Sequence, residues 1–332
     1  MGARAAELQI SQVGLESTLG GGATKFREPV AFSLTPSGKA ERKSREPSGY
    51  LFPTAHKLVR ETTEAKVDGD GSYYDLWYPL SSVIKKITQG SFPSGVTAGA
   101  YQHYFKPSGR AADILQSFHV KHGDGTDNEE FKGAVFSEFG YTIDLSDFKW
   151  TGTLVGQAMN GTGVTLETGA NKLSTLSDYP AENTDVTVYF DGVAVDLVHK
   201  VEFKIGDRQK PVYTVKRSAN GTYVTQVVTK PKVDMKVTVA ADSVGKALLS
   251  QMRSSSVVTV KVEAIGPAIT GSTPSTNHQF IHTFKGVPSE PGEFKNSDGV
   301  YALEWSFLPQ WDSGLDSAME FTLVNGKQDY TA

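Results

Sequence analysis

FKGAVFSEFG, residues 131–140, and FKGVPSEPG, residues 284–292, are two versions of one stretch separated by roughly half the chain. Each is followed by an acidic turn and an alternating run that closes on tryptophan. YTIDLSDFKW ends at Trp150, and NSDGVYALEW ends at Trp305. Four matched features in one order point to a repeated structural unit.

LQSFHVKH (115–122) and VVTVKVEA (257–264) precede the two copies and read as strands. Earlier lie SYYDLWYPLSSVI (72–84) and ADSVGKALLSQM (241–252), each a short helix. Ser72 with Asp75 has capping-box spacing, Asp242 or Ser243 caps the second helix, and Pro79 interrupts the first or starts a new turn. EAKVDGD (64–70) lines up with KPKVDMK (230–236), and VAFSLTP (30–36) with VEFKIGD (201–207). The separations are 171 residues for the first strand, 166 for KVD, 153 for FKG and 155 for Trp, a spread that loop insertions produce. The sequence therefore predicts a mainly β protein of two similar β-sandwich domains, each with one short flanking helix. Their bounds are 1–150 and 186–332, with 151–185, rich in Gly, Thr, Ser and Asn, as linker or loop. Asp191-Gly192 signals a hairpin as the second unit opens.

A length of 332 residues fits about two domains at ~100–200 residues each. No apolar run approaches membrane-spanning length, and MGARAAELQI lacks the apolar centre of a signal peptide. The expectation is a soluble chain. Without cysteine there is no disulfide, no thiolate nucleophile and no Cys-based zinc site, which fits assembly in a reducing cytoplasm. A net charge of −4 gives no basic field for gripping nucleic acid.

Strand parity divides the two hairpin strands into faces. Arg60, Thr62, Glu64, Lys66 and Asp68 alternate with Val59, Glu61, Thr63, Ala65 and Val67. Lys230, Lys232, Asp234, Lys236 and Thr238 lie opposite Val233, Met235, Val237 and Val239. One face is apolar and packed, the other polar with both signs of charge. Such a face is an ordinary solvated surface, or the lining of a water-filled channel where sheets from several subunits join and cover their edges. Basic runs mark both hairpin connections: Lys39, Arg42, Lys43 and Arg45 in the first, Arg208, Lys210, Lys216 and Arg217 in the second. These are solvated loops or projections that meet an acidic surface on a neighbour.

Catalytic constellations are missing from the sequence. His278 and His282 have HxxxH spacing, but on an alternating strand, where a surface or interface role is expected rather than a zinc pair. His119 and His122 fall on opposite faces of a strand. DGDGS (68–72) has Tyr73 where a calcium loop needs Gly, and neither a P-loop nor a GxSxG elbow occurs. No enzyme, cofactor or metal is expected.

GLESTLGGGATKFREPVAFSLTP, the basic loop after it, ETTEAKVDGDGSYYDLWYPL and the late EWSF…FTLVNG together resemble the major tail tube proteins of long-tailed, siphovirus-like bacteriophages. The resemblance covers most of the chain, is best over residues 14–80 and skips 151–185. It implies a virion structural protein, made and assembled in the host cytoplasm, whose inner sheets join around a ring into a barrel. Rings stack helically into the tail tube that conducts DNA from capsid to host. Partners are then further copies of the chain, the tape measure protein and phage DNA in the lumen, and the tail terminator and tail tip proteins, with no membrane. Most members carry one tube domain and form hexamers, so a duplicated chain implies a homotrimer with pseudo-sixfold symmetry or a homohexamer. Lumen-lining candidates are Thr62, Glu64, Lys66, Asp68, Lys230, Lys232 and Asp234. Inter-ring candidates are Lys39, Arg42, Lys43, Arg45, Arg208, Lys210, Lys216 and Arg217. The rival reading is a carbohydrate- or cell-surface-binding β-sandwich of a phage tail or adhesin. It requires exposed aromatics among Trp77, Trp150, Trp305 and Trp311. A β-sandwich hydrolase with a carboxylate pair has no supporting spacing.

Overall fold

The computed structural model describes residues 9–214, 221–241, 243–297 and 299–331. The chain is mainly β. Its first half contains β1 (Ile10–Leu15), β2 (Phe32–Arg45), β3 (Ala55–Asp70), α1 (Trp77–Val83), β4 (Tyr101–Phe105), β5 (Phe118–Gly123), β6 (Asn128–Asp144) and β7 (Phe148–Gly156). The second half contains β8 (Val186–Phe190), β9 (Val193–Ala194), β10 (Val198–Gly206), β11 (Gln209–Val212), β12 (Thr225–Val228), β13 (Lys232–Ala240), α2 (Ser243–Ser254), β14 (Val258–Ala268), β15 (Asn277–Ser297), β16 (Val300–Pro309) and β17 (Met319–Asn325).

One antiparallel path runs β2-β3-β7-β6-β10-β13-β16-β15. Its first four strands and its last four have the same order of connection. β6 and β15 are long enough to serve twice. The N-terminal part of β6 pairs β5, which pairs β1, while that of β15 pairs β14, which pairs β8. The sheet thus folds over its own apolar side in the manner of a β-sandwich. One core cluster runs through both halves, including Trp77, Trp150, Phe203, Phe280 and Trp305. Strand alternation is the cause: Ala65, Val67, Val237 and Val239 point inward and are buried.

The opening repeat marks the point where each long strand bends. Val135-Phe136 pairs with Val155-Leu154, Ser137 bulges out, and Glu138 resumes opposite Thr153. Val287-Pro288 pairs with Leu308-Phe307, the register skips Ser289, and Glu290 resumes opposite Ser306. In both bulges the serine Oγ donates to the carbonyl across the ladder, Ser137 to Thr153 and Ser289 to Ser306, each at 3.1 Å. Counted from these bulges, Lys66 stands opposite Thr153 as Lys236 stands opposite Ser306. Thr35 in turn faces Lys66 as Glu202 faces Lys236. Several sequence alignments shift accordingly. Trp150 faces Gly69 whereas Trp305 faces Val237, two rungs apart on the same face, and the KVD and first-strand matches slip by an even number of residues.

Other expectations change too. Residues 151–156 are the second part of β7, so a boundary at 150 cuts a strand. The segment beyond it is tied down rather than free: Phe26 N donates to Asn171 O, Arg27 Nε to Ser174 O, and Lys121 Nζ reaches Glu167 Oε1 at 2.6 Å. α1 begins at Trp77, with Pro79 in its first turn, where a missing N–H costs nothing. Ser72 caps the preceding turn by accepting from Tyr74 N and Asp75 N. Asp75 is buried and accepts from Val30 N and Ala31 N instead, and burial raises its pKa. α2 spans Ser243–Ser254, while Asp242 lies outside the described residues.

Candidate assembly surface

Side chains opposite the core give the eight-stranded path a second face, and over β3, β6, β10, β13 and β16 that face is mainly polar. Glu64, Lys66 and Asp68 on β3 and Lys232 and Asp234 on β13 are exposed there, and Thr62 is half-buried on the same face. Lys230 is exposed too, but in the coil before β13. Six of the seven lining candidates therefore share one sheet face. Lys236, on the parity already read, completes it together with Glu138, Thr142, Glu202, Lys204 and Glu304, which reading two hairpins missed. The signal was present, because the same period-two alternation runs through β6, β10 and β16. Charges of both signs interlock across strands, with Lys204 Nζ 2.7 Å from Glu138 and Lys236 Nζ 3.3 Å from Glu304.

The two halves meet where β10 pairs β6, from Lys200 opposite Asp144 to Ile205 opposite Phe139. Gly140 sits at this junction, and a Cβ there would stand 2.8 Å from the carbonyl of Phe203, so the close approach demands glycine. The repeat carries Gly292 two residues after Glu290, as Gly140 follows Glu138. Yet the corresponding edge of β15 has no partner among the described residues, because beyond residue 286 β15 pairs only with β16. At the other end of the path, β2 pairs among the described residues with β3 alone, where its counterpart β10 has β6 as well. One half-sheet therefore ends in a strand that accepts a neighbour, and the other begins with a strand that supplies one.

The hairpin connections differ from each other. β2 and β3 continue beyond the core as an exposed two-stranded arm carrying Lys39, Arg42, Lys43 and Arg45. Lys39 pairs with Glu64 at 3.6 Å, and Arg60 with Glu41 at 3.5 Å. The tip holds Tyr50, Leu51 and Phe52, exposed by 68%, 96% and 80%, a run of three apolar residues that charge-based reading of the loop passed over. The second connection instead turns at Asp207, with φ 55°, and lies across the first half as β11 and β12. Arg208 is consequently no projecting cation. It is buried, with Nη2 2.6 Å from Asp113 and Nε donating to Val83 O, and desolvation lowers its pKa while Asp113 opposes the shift. Lys210 is exposed; Lys216 and Arg217 lie outside the described residues.

His278 and His282 correct another expectation. Both are buried in the core, His278 against Pro267 O and Tyr74 OH, His282 against Tyr141 OH at 2.6 Å and stacked on Phe321 at 4.0 Å. Trp77, Trp150 and Trp305 are buried as well, which leaves Trp311, under Arg110, as the exposed tryptophan. Among the described residues no three His, Cys, Asp or Glu converge as metal ligands, and no helix is long and apolar enough to cross a membrane. No protein-family model and no curated protein matches the chain.

Proposed function

We propose that the chain is a structural protein of a phage virion that polymerises through its sheet edges into rings, and that stacked rings form the tail tube. The observation that carries this reading is the β6–β10 junction. It joins two half-sheets inside the chain and leaves the same pair of edges open at the two ends. An interface between unlike surfaces of identical chains closes into a ring when its rotation permits. Exposed strand edges as long as these are otherwise an aggregation hazard, which closure removes.

Each chain then contributes two tube-type domains, and three chains supply six. Twenty-four strands at about 4.8 Å spacing give a barrel circumference of about 115 Å before tilt, or about 37 Å across. The polar face lines the lumen, with Thr62, Glu64, Lys66, Asp68, Lys232 and Asp234 among its residues and Lys230 at its rim. Its mixed charge suits passage of DNA and of a tape measure protein, because a uniformly basic wall would displace counterions and hold DNA fast. The exposed basic residues of the first arm contact another copy. A carbohydrate-binding reading loses its main support with three tryptophans in the core.

Negative-stain electron microscopy of the purified chain across a concentration series tests this function. Hollow tubes with a regular axial repeat and six wall segments end-on are expected. Monomers that persist at every concentration, together with retention on a glycan array, would overturn it.

A further inference from the structure

We infer that the first arm is a lateral strap, which closes over the second half of the neighbouring copy in the same ring; this rests on the ring reading above and says where the arm goes. The second arm already does this inside the chain. Having crossed the β6–β10 junction, it lies over the first half. Arg208 binds Asp113, and Gln209 Nε2 donates to Ser82 O at 3.0 Å. Tyr223 is fully buried, its hydroxyl donating to Gly133 O at 2.5 Å and Val155 O at 3.3 Å. Its far end reaches β3, where Glu61 N donates to Gly221 O.

The first arm has the same place in the fold; its base meets the second arm, with Arg60 over Tyr213, but its tip is exposed. Thr62 corresponds to Lys232 through the bulge register, and Phe52 lies ten residues before Thr62 as Tyr223 lies nine before Lys232. Phe52 is 80% exposed where Tyr223 is buried. The surface equivalent to the one Tyr223 covers is bare: Leu308, on the rung Val155 occupies in the first half, is 60% exposed. Pairing β2 of one copy with β15 of the next sets the arm beside that surface, as pairing β10 with β6 sets the second arm on the first half. The occupant is a second copy of this chain, and Tyr50, Leu51 and Phe52 are its anchor.

The chain has no cysteine, so Phe52→Cys with Leu308→Cys provides a clean thiol pair. A short bismaleimide should link chains covalently at concentrations where micrographs show single rings and no stacks. A link that forms only in stacked tubes, or not at all in assembled protein, would overturn the strap. Tyr50→Ser, Leu51→Ser and Phe52→Ser combined should leave the unfolding temperature of the dilute chain unchanged, since these side chains are largely exposed in it. The same triple variant should raise the concentration needed for ring assembly by about tenfold or more; an unchanged assembly concentration would also count against the strap. Linked rings that never stack would leave the strap standing and remove the tube.

Discussion

His282 is a basic group held neutral by burial, which lowers its pKa to about 3. The unfolded chain takes up a proton near pH 6.5 and the folded chain does not, so folding stability is complete above that pH and falls as pH drops towards 3. This site alone should contribute a slope of about 1.4 kcal/mol per pH unit, and denaturant titrations of His282→Gln should lack that share of it. A parallel pH dependence in the variant would show that His282 is protonated in the fold. Arg208 makes a second prediction at this scale. Asp113→Ala leaves a buried guanidinium unpaired and should cost about 3–5 kcal/mol, most of which Asp113→Leu with Arg208→Met should restore. Sequence left both residues misplaced for identifiable reasons. His278 and His282 share strand parity with Phe280 and Phe284, so their core position was legible from the aromatic neighbours rather than from HxxxH spacing. Arg208 owes its burial to a carboxylate 95 residues away, which no local pattern contains.

At the scale of elements, alternation made the sheet faces legible, and FKG located the bend that both long strands make. Equivalent rungs were less legible, because a bulge adds a residue to one strand and not to its partner, and β15 has a second irregularity between Pro291 and Phe294. Tryptophan matching therefore aligned the correct face two rungs out. The bulge serines are small contributors: Ser137→Ala removes one hydrogen bond to Thr153 O and should cost about 1 kcal/mol, as should Ser289→Ala. Calorimetry of the two variants would show unequal losses if the bulges were not equivalent. The free edges of β2 and β15 were illegible in sequence, since an edge is defined by the partner a strand lacks.

For the whole molecule, the central claim is that β2 and β15 of different copies pair as β10 and β6 pair within one. That junction sets Glu202 opposite Thr142. Thr35 is the rung equivalent of Glu202, and Lys295 faces Ala302 on the rung where Thr142 faces Lys149. In the proposed ring the repeated register puts Thr35 opposite Lys295 of the next copy. The lumen reading adds a consequence of charge: Glu64→Lys, Asp68→Lys and Asp234→Lys together should make assembled tubes retain DNA at low salt and release it as salt rises. Tubes as indifferent to DNA as the parent would place that face elsewhere. The most direct test of the central claim is thiol cross-linking of a Thr35→Cys, Lys295→Cys chain, with Thr35→Cys, Ser297→Cys as the out-of-register control. A covalent ladder that ends at a closed trimer is expected for the first pair, with little product for the second. Assembled protein that gave no ladder, or gave it equally with both pairs, would contradict it.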